Sequence, residues 1–212
     1  MNRFDGMAAT WEATPRRAER AKATADAIAA RIRLQRTWSV VDVGSGTGLL
    51  SRMLADRVGR IVLVDTSPGM TEVAAEQIAA SGMSSLSAVC LDITTEVPPG
   101  GPFDLAVSLL MLHHVHDVEG FLEAVLCRLE PGGYLAFADL AAEDGSFHED
   151  PTEEVHHHGF EPHQLAAMAV SAGYVDVAVE EIHQMVKQRD GQDRSYGLLL
   201  LTGRVPVTVT TA

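Results

Sequence analysis

The chain of 212 residues carries 29 acidic and 16 basic side chains, a formal charge of −13, with 46% hydrophobic and 21% charged residues. This is the composition of a folded chain long enough for one well-buried domain, and its acidic balance argues against a nucleic-acid partner, which would call for a basic face. No run of about 18 apolar residues is present to span a membrane, and the opening MNRFDGMAATWEATPRR lacks the apolar core of a signal peptide, so a cytoplasmic location is expected.

The first fourteen residues include Phe4, Met7 and Trp11 but few local structure signals. Thr14-Pro15 opens a helix to Arg33 with an apolar stripe through Ala21, Ile28 and Ile32. The basic residues between Arg16 and Arg36 read as the solvated face of that helix rather than as a phosphate-binding strip. Strands then alternate with helices: Val40–Val43, helix Leu49–Arg57, Ile61–Val64, helix Pro68–Ala80, Leu86–Leu91, Leu105–Leu109, helix Val118–Leu129 and Tyr134–Ala138. A helix over Glu161–Ala172 ends at Gly173, and Val175–Val179 and Tyr196–Leu201 are the last strands.

The short strands show little polar alternation, as strands covered on both faces do. Strand–helix alternation predicts an α/β fold with right-handed crossovers and a doubly wound, mostly parallel sheet. No helix separates the last two strands, so a hairpin with a reversed edge strand is expected. Residues 15–204 form one domain in this reading, and 205–212 a loose tail. Cys90 and Cys127 lie in apolar segments and are expected to be buried free thiols of a reducing compartment. EDGSFHEDPTEEVHHHGF, residues 143–160, forms a long acidic loop leaving the fifth strand at the carboxyl edge, where ligands sit in open α/β sheets.

VVDVGSGTG runs a strand into three glycines, Gly44, Gly46 and Gly48. Without Cβ atoms such a turn can let a ligand touch the main chain, whether a diphosphate, a carboxylate or a ribose. Asp65 ends the next strand at the same edge, where a carboxylate can accept from both ribose hydroxyls. Asp92 adds a second carboxylate, able to accept from an exocyclic amine such as that of adenine. The G-S-G-T-G spacing departs from the G-x-G-x-x-G of dinucleotide binders, and LEPGGYLAFAD carries a Pro-Gly-Gly turn into the fifth strand.

Five segments, VVDVGSGTG, IVLVDTSPGM, CLDI, FDLAVSLLMLHHV and LEPGGYLAF, occur in order between roughly residues 38 and 140. In these the chain resembles the class I S-adenosylmethionine-dependent methyltransferases, particularly those acting on small diffusible substrates. The resemblance implies a Rossmann-like sheet of seven strands whose last hairpin is reversed. It implies that Gly44, Ser45 and Gly46 approach the methionine part of S-adenosylmethionine, with Asp42 beneath them holding its amino group. Asp65 would take the ribose, Thr66 would lie beside the adenine and Met70 on its face, and Asp92 and Ile93 would meet the adenine edge. Ser108 and Leu109 would border the methionine group, and Phe4 and Trp11 would belong to a lid formed by residues 1–14.

The implied function is methyl transfer from S-adenosylmethionine to a small-molecule acceptor, by in-line attack on the sulfonium methyl. The alternatives are a non-catalytic regulator binding S-adenosylmethionine or S-adenosylhomocysteine, a protein methyltransferase, or an NAD-dependent oxidoreductase. No fixed base is dictated by this chemistry. His113, His156, His157 and His158 are the candidates, read as ordinary loop and packing residues, as a base or substrate contact, or as metal ligands; no metal is assigned. The acceptor and the oligomeric state are not written in the sequence.

Overall fold

Seven strands form one sheet in the computed structural model, which describes residues 6, 8–148, 154–189 and 191–207. They are β1 (Ser39–Val43), β2 (Arg60–Asp65), β3 (Leu86–Cys90), β4 (Phe103–Leu109), β5 (Leu129–Leu140), β6 (Val175–Arg189) and β7 (Gln192–Arg204). The order is β3-β2-β1-β4-β5-β7-β6. β1 lies parallel to both β2 and β4, and β7 runs antiparallel to β5 and β6. The doubly wound sheet with a reversed hairpin at its edge is the fold expected from the sequence.

Among the described residues five helices cover it: α1 (Pro15–Arg31), α2 (Leu49–Leu54), α3 (Pro68–Ser81), α4 (Val118–Leu126) and α5 (Pro162–Ser171). The strand period of two splits the core between the faces. Val41, Val43, Val62 and Val64 pack with Leu122 of α4 and Leu165 of α5. Val40, Ile61, Leu63 and Leu105 pack with Ile28 of α1 and Leu50 and Leu54 of α2. No described helix is long and apolar enough to cross a membrane.

Three local expectations change. Cys90 and Cys127 are exposed, not buried: Cys90 ends the edge strand β3, which pairs only with β2, and Cys127 caps the C-terminus of α4. The final strands are far longer than Val175–Val179 and Tyr196–Leu201, because β6 is half-exposed along its length and its polar residues belong to the ladder. The helix expected over Leu49–Arg57 becomes a 3-10 turn from Ala55. Phe4 and residues 208–212 of the tail lie outside the described residues, whereas Val205 is buried and exchanges backbone hydrogen bonds with Gly132 and Gly133.

Candidate active site

β1 and β4 are neighbours whose chains continue to opposite halves of the sheet, which leaves a crevice beyond their carboxyl ends. A cavity of about 410 Å³ fills it, within the roughly 300–1,000 Å³ of small-molecule clefts. Gly44 follows β1 with φ +65°, and a Cβ there would fall 2.3 Å from Met111 Cγ, beyond β4. Left-handed backbone and close approach both demand glycine. The Ser45 amide donates to the Val64 carbonyl at 3.0 Å and the Gly46 amide to Asp65 Oδ2 at 2.8 Å. Asp65 Oδ1 accepts from the Ser67 amide at 2.9 Å, so two backbone donors aim this carboxylate at the end of β2.

Asp42 shares a sheet face with Val40 and turns toward α2, where the Ser51 hydroxyl donates to its Oδ2 at 2.6 Å. Burial pushes the Asp42 carboxyl up to about 7; the Ser51 bond opposes this and the charge of Asp65 adds to it. A 3-10 segment, Ala8–Ala13, runs over the glycine turn. Glu12 accepts from the Thr47 hydroxyl and the Arg52 guanidinium, each at 2.6 Å. Trp11 thus covers Gly46: a Cβ there would lie 3.8 Å from Trp11 Nε1. The Arg17 guanidinium stacks 3.6 Å from the centre of the Trp11 ring. Arg20 lines the same cavity, and no carboxylate among the described residues pairs with it. Burial, helped by Arg17, lowers its guanidinium to about 10.

In sheet order, the cavity wall takes Asp92 and Ile93 after β3, Asp65, Thr66 and Met70 after β2, and Asp42, Gly44, Ser45 and Gly46 at β1. Leu109, at the end of β4, and His113 complete the sequence-derived set. Asp92 Oδ1 accepts from the Thr94 amide at 2.9 Å and its hydroxyl at 2.6 Å. Ser108 is not in the wall; its hydroxyl donates to the Val43 carbonyl at 2.6 Å and ties β4 to β1. His156, His157 and His158 do not line the cavity either. The His156 and His157 amides dock on the His113 carbonyl, and His157 Nε2 donates to the Val115 carbonyl at 2.9 Å.

His114, which follows the fourth strand with His113 and was weighed with it from sequence, lines the cavity too, and Arg17, Arg20, Met111, Phe147, His148 and Lys187 face it without having been singled out. For the two arginines the signal was present in the basic run of α1, but helical spacing did not say which of its arginines turn inward. Leu110 was unmarked as well; it holds φ +55° between β4 and the following turn, a strained conformation of the kind that gathers at functional sites. His148 lies on the segment after β5, and the long hairpin holds that segment down. Lys187 Nζ donates to the Phe147 carbonyl at 2.8 Å, Arg189 Nε to the Ser146 carbonyl at 2.6 Å, and the Tyr196 hydroxyl to the same Ser146 oxygen at 3.1 Å.

Residues 40–133 match the methyltransferase domain family. A malonyl-[acyl-carrier protein] O-methyltransferase of Acetivibrio thermocellus is 34% identical over 101 residues, 47% of this chain and 34% of that protein. Over this region the chain is similar to S-adenosylmethionine-dependent methyltransferases. Its fold matches the protein solved in complex with the Haloferax volcanii Trm112 methyltransferase activator, with TM-score 0.78, 24% identity, and 97% and 99% of the two chains covered. It also matches phosphoethanolamine N-methyltransferase 2 of Haemonchus contortus, solved with S-adenosyl-L-methionine, with TM-score 0.68, 17% identity, and 86% and 52% covered. Against the first curated methyltransferases it matches, the aligned region spans 26% to 57% of their lengths.

Proposed function

We propose that this chain moves a methyl group from S-adenosylmethionine to a small-molecule acceptor. One observation carries the reading: a single cavity joins a wall suited to an adenosyl group, built on Asp65, Met70 and Asp92, to a wall of imidazoles at His113. The donor fits the polar groups that the fold leaves unsatisfied. The buried Ser45 hydroxyl has no hydrogen-bond partner, and Arg20 has no carboxylate of its own among the described residues. Asp65 would hold the ribose, Asp92 and Ile93 the adenine edge, Met70 the adenine face, Asp42 the amino group, and Arg20 the carboxylate.

When bound, the donor supplies an electrophilic methyl on a sulfonium centre. The protein aligns the acceptor and keeps water out beneath Trp11 and Phe147, with the imidazole of His113 facing the acceptor end of the cavity. A small acceptor is favoured because the one cavity must house both partners.

Calorimetric titration with S-adenosylmethionine, S-adenosylhomocysteine and NAD tests the donor site. The first two bind and NAD does not, and Asp65→Ala weakens S-adenosylhomocysteine at least about tenfold, as loss of a charged acceptor should. Incubation with methyl-labelled donor and a metabolite extract then places label in the small-molecule fraction. Label only in protein, or tight donor binding with no transfer to any acceptor, overturns the reading.

A further inference from the structure

Three imidazoles converge at the acceptor end of the cavity. His113 and His114 stand on the 3-10 turn after β4, and His148 comes from the segment after β5. One ring nitrogen from each lies within 4.8 Å of the others. Ring centres are 4.1 Å apart for His113 and His114, 5.1 Å for His113 and His148, and 5.5 Å for His114 and His148.

The hydrogen bonds behind two of these rings decide their tautomers. His113 Nδ1 lies 2.6 Å from Asp139 Oδ1, and that carboxylate also accepts the Leu112 and Leu140 amides at 2.7 Å each. His114 Nδ1 lies 2.7 Å from the Glu154 carbonyl oxygen. A carbonyl only accepts, and so does a carboxylate already receiving two amides, so both Nδ1 atoms carry a hydrogen, and in the neutral ring Nε2 is then the nitrogen that holds the lone pair. Metal-binding histidines are held in this way, with the second ring N–H given to a carboxylate or a backbone carbonyl. His113 Nε2 is buried with no hydrogen-bond partner, in a side chain 2% exposed.

We propose that His113, His114 and His148 bind a divalent first-row transition-metal ion, with zinc as the reference ion and Asp139 as the outer partner of His113. An all-imidazole set suits zinc, iron, copper or nickel rather than calcium or magnesium. Three histidines leave a fourth position for substrate or water, the arrangement of catalytic rather than structural zinc. Ligand nitrogens around tetrahedral zinc are roughly 3.3 Å apart, so from 4.8 Å the cluster closes by at most about 1.5 Å on binding. The ion's role in catalysis rests on the methyl-transfer reading; its binding does not. In that role an acceptor hydroxyl on the open position loses its proton to solvent, the resulting oxygen lone pair forms the bond to the methyl carbon, and the carbon–sulfur bond breaks with its electrons returning to sulfur.

The test is zinc titration of the chelator-stripped full chain, read by calorimetry and by competition with a chromogenic zinc chelator. S-adenosylhomocysteine binding is measured on the same samples. One zinc per chain is expected at about 1 µM or tighter. His148→Ala weakens zinc by about 100-fold or more while S-adenosylhomocysteine binding persists, which shows that the variant is folded. Asp139→Asn weakens zinc by about 10–100-fold. Replacing His156, His157 and His158 together with Ala leaves zinc affinity unchanged. Wild-type affinity weaker than about 100 µM, or His148→Ala binding zinc as well as the wild type, overturns the site. Methyl transfer at full rate by metal-free protein overturns the ion's catalytic role. Zinc bound as described in a protein that transfers no methyl group confirms the site and defeats only the methyl-transfer reading.

Discussion

Asp139 and His113 share a 2.6 Å hydrogen bond in which neither side chain is more than 2% exposed. The same carboxylate receives the Leu112 and Leu140 amides, so it holds the turn after β4 as well as the ring. Asp139→Asn turns an acceptor-only group into one carrying two hydrogens that face existing donors. We expect a loss of stability of about 1–3 kcal/mol, the usual consequence of leaving buried hydrogen-bonding groups unsatisfied. A shift of the urea midpoint without a change in slope would show it; an unchanged midpoint would mean that the carboxylate is not the organising group of this turn.

The role proposed for Arg20, holding the donor's carboxylate, is tested by comparing ligands with and without the amino-acid part. Arg20→Met keeps the length and apolar stem of the side chain but removes the cation facing the cavity. S-adenosylhomocysteine should then bind roughly 10–150-fold more weakly, the equivalent of one charge-assisted hydrogen bond. Methylthioadenosine, which lacks the amino acid, should bind the variant and the wild type alike. Equal losses for both ligands would place Arg20 elsewhere in the site.

If Asp42 holds the donor's amino group as proposed, donor binding depends on pH. With its carboxyl pushed up to about 7, it is largely protonated below neutrality in the ligand-free protein. A bound ammonium group requires the ionised form, so binding releases a proton. S-adenosylhomocysteine affinity therefore falls as pH drops through about 7 and levels off above it. Asp42→Asn flattens the profile and lowers the plateau. The stability of the ligand-free protein moves the other way: the folded state holds this proton more tightly than the unfolded chain, whose Asp titrates near about 3.9, so stability declines as pH rises from there through about 7.

Gly44→Ala tests the packing across the crevice. The new Cβ would meet Met111 2.3 Å from its Cγ, at a residue held at φ +65°. Met111 must shift within the cavity it lines, so donor affinity should drop more than stability, which loses about 1 kcal/mol for the backbone alone. Paired calorimetric and denaturation measurements separate the two effects.

The part of the cavity wall built on β1, β2 and β3 was legible because each of its groups sits at or just after the end of a short, two-sided strand, and that pattern survives in sequence. Asp65 ends β2, and Gly44 follows β1 directly. The histidine wall was not. His148 is a single histidine in an acidic segment, brought to His113 only by the extension of β6 and β7. That extension was invisible because polar residues such as Glu181, Gln184 and Gln188 alternate along a half-exposed strand. Apolar neighbours likewise suggested burial for Cys90, yet an edge strand turns one face to solvent. Ser108 was placed at the right strand end, but its hydroxyl is taken by the Val43 carbonyl.

Lys187, Arg189 and Tyr196 grip the segment before His148 by the main-chain oxygens of Ser146 and Phe147. A grip on the backbone is indifferent to the side chains it carries. Because the grip is on main-chain oxygens, the Phe147 side chain can change while the segment keeps these anchors and the walls built from β1, β2 and β3 stay as they are. On the methyl-transfer reading proposed above, acceptor preference is thereby separable from donor recognition, and a library confined to Phe147, which lines the cavity, should yield altered selectivity with S-adenosylhomocysteine binding kept.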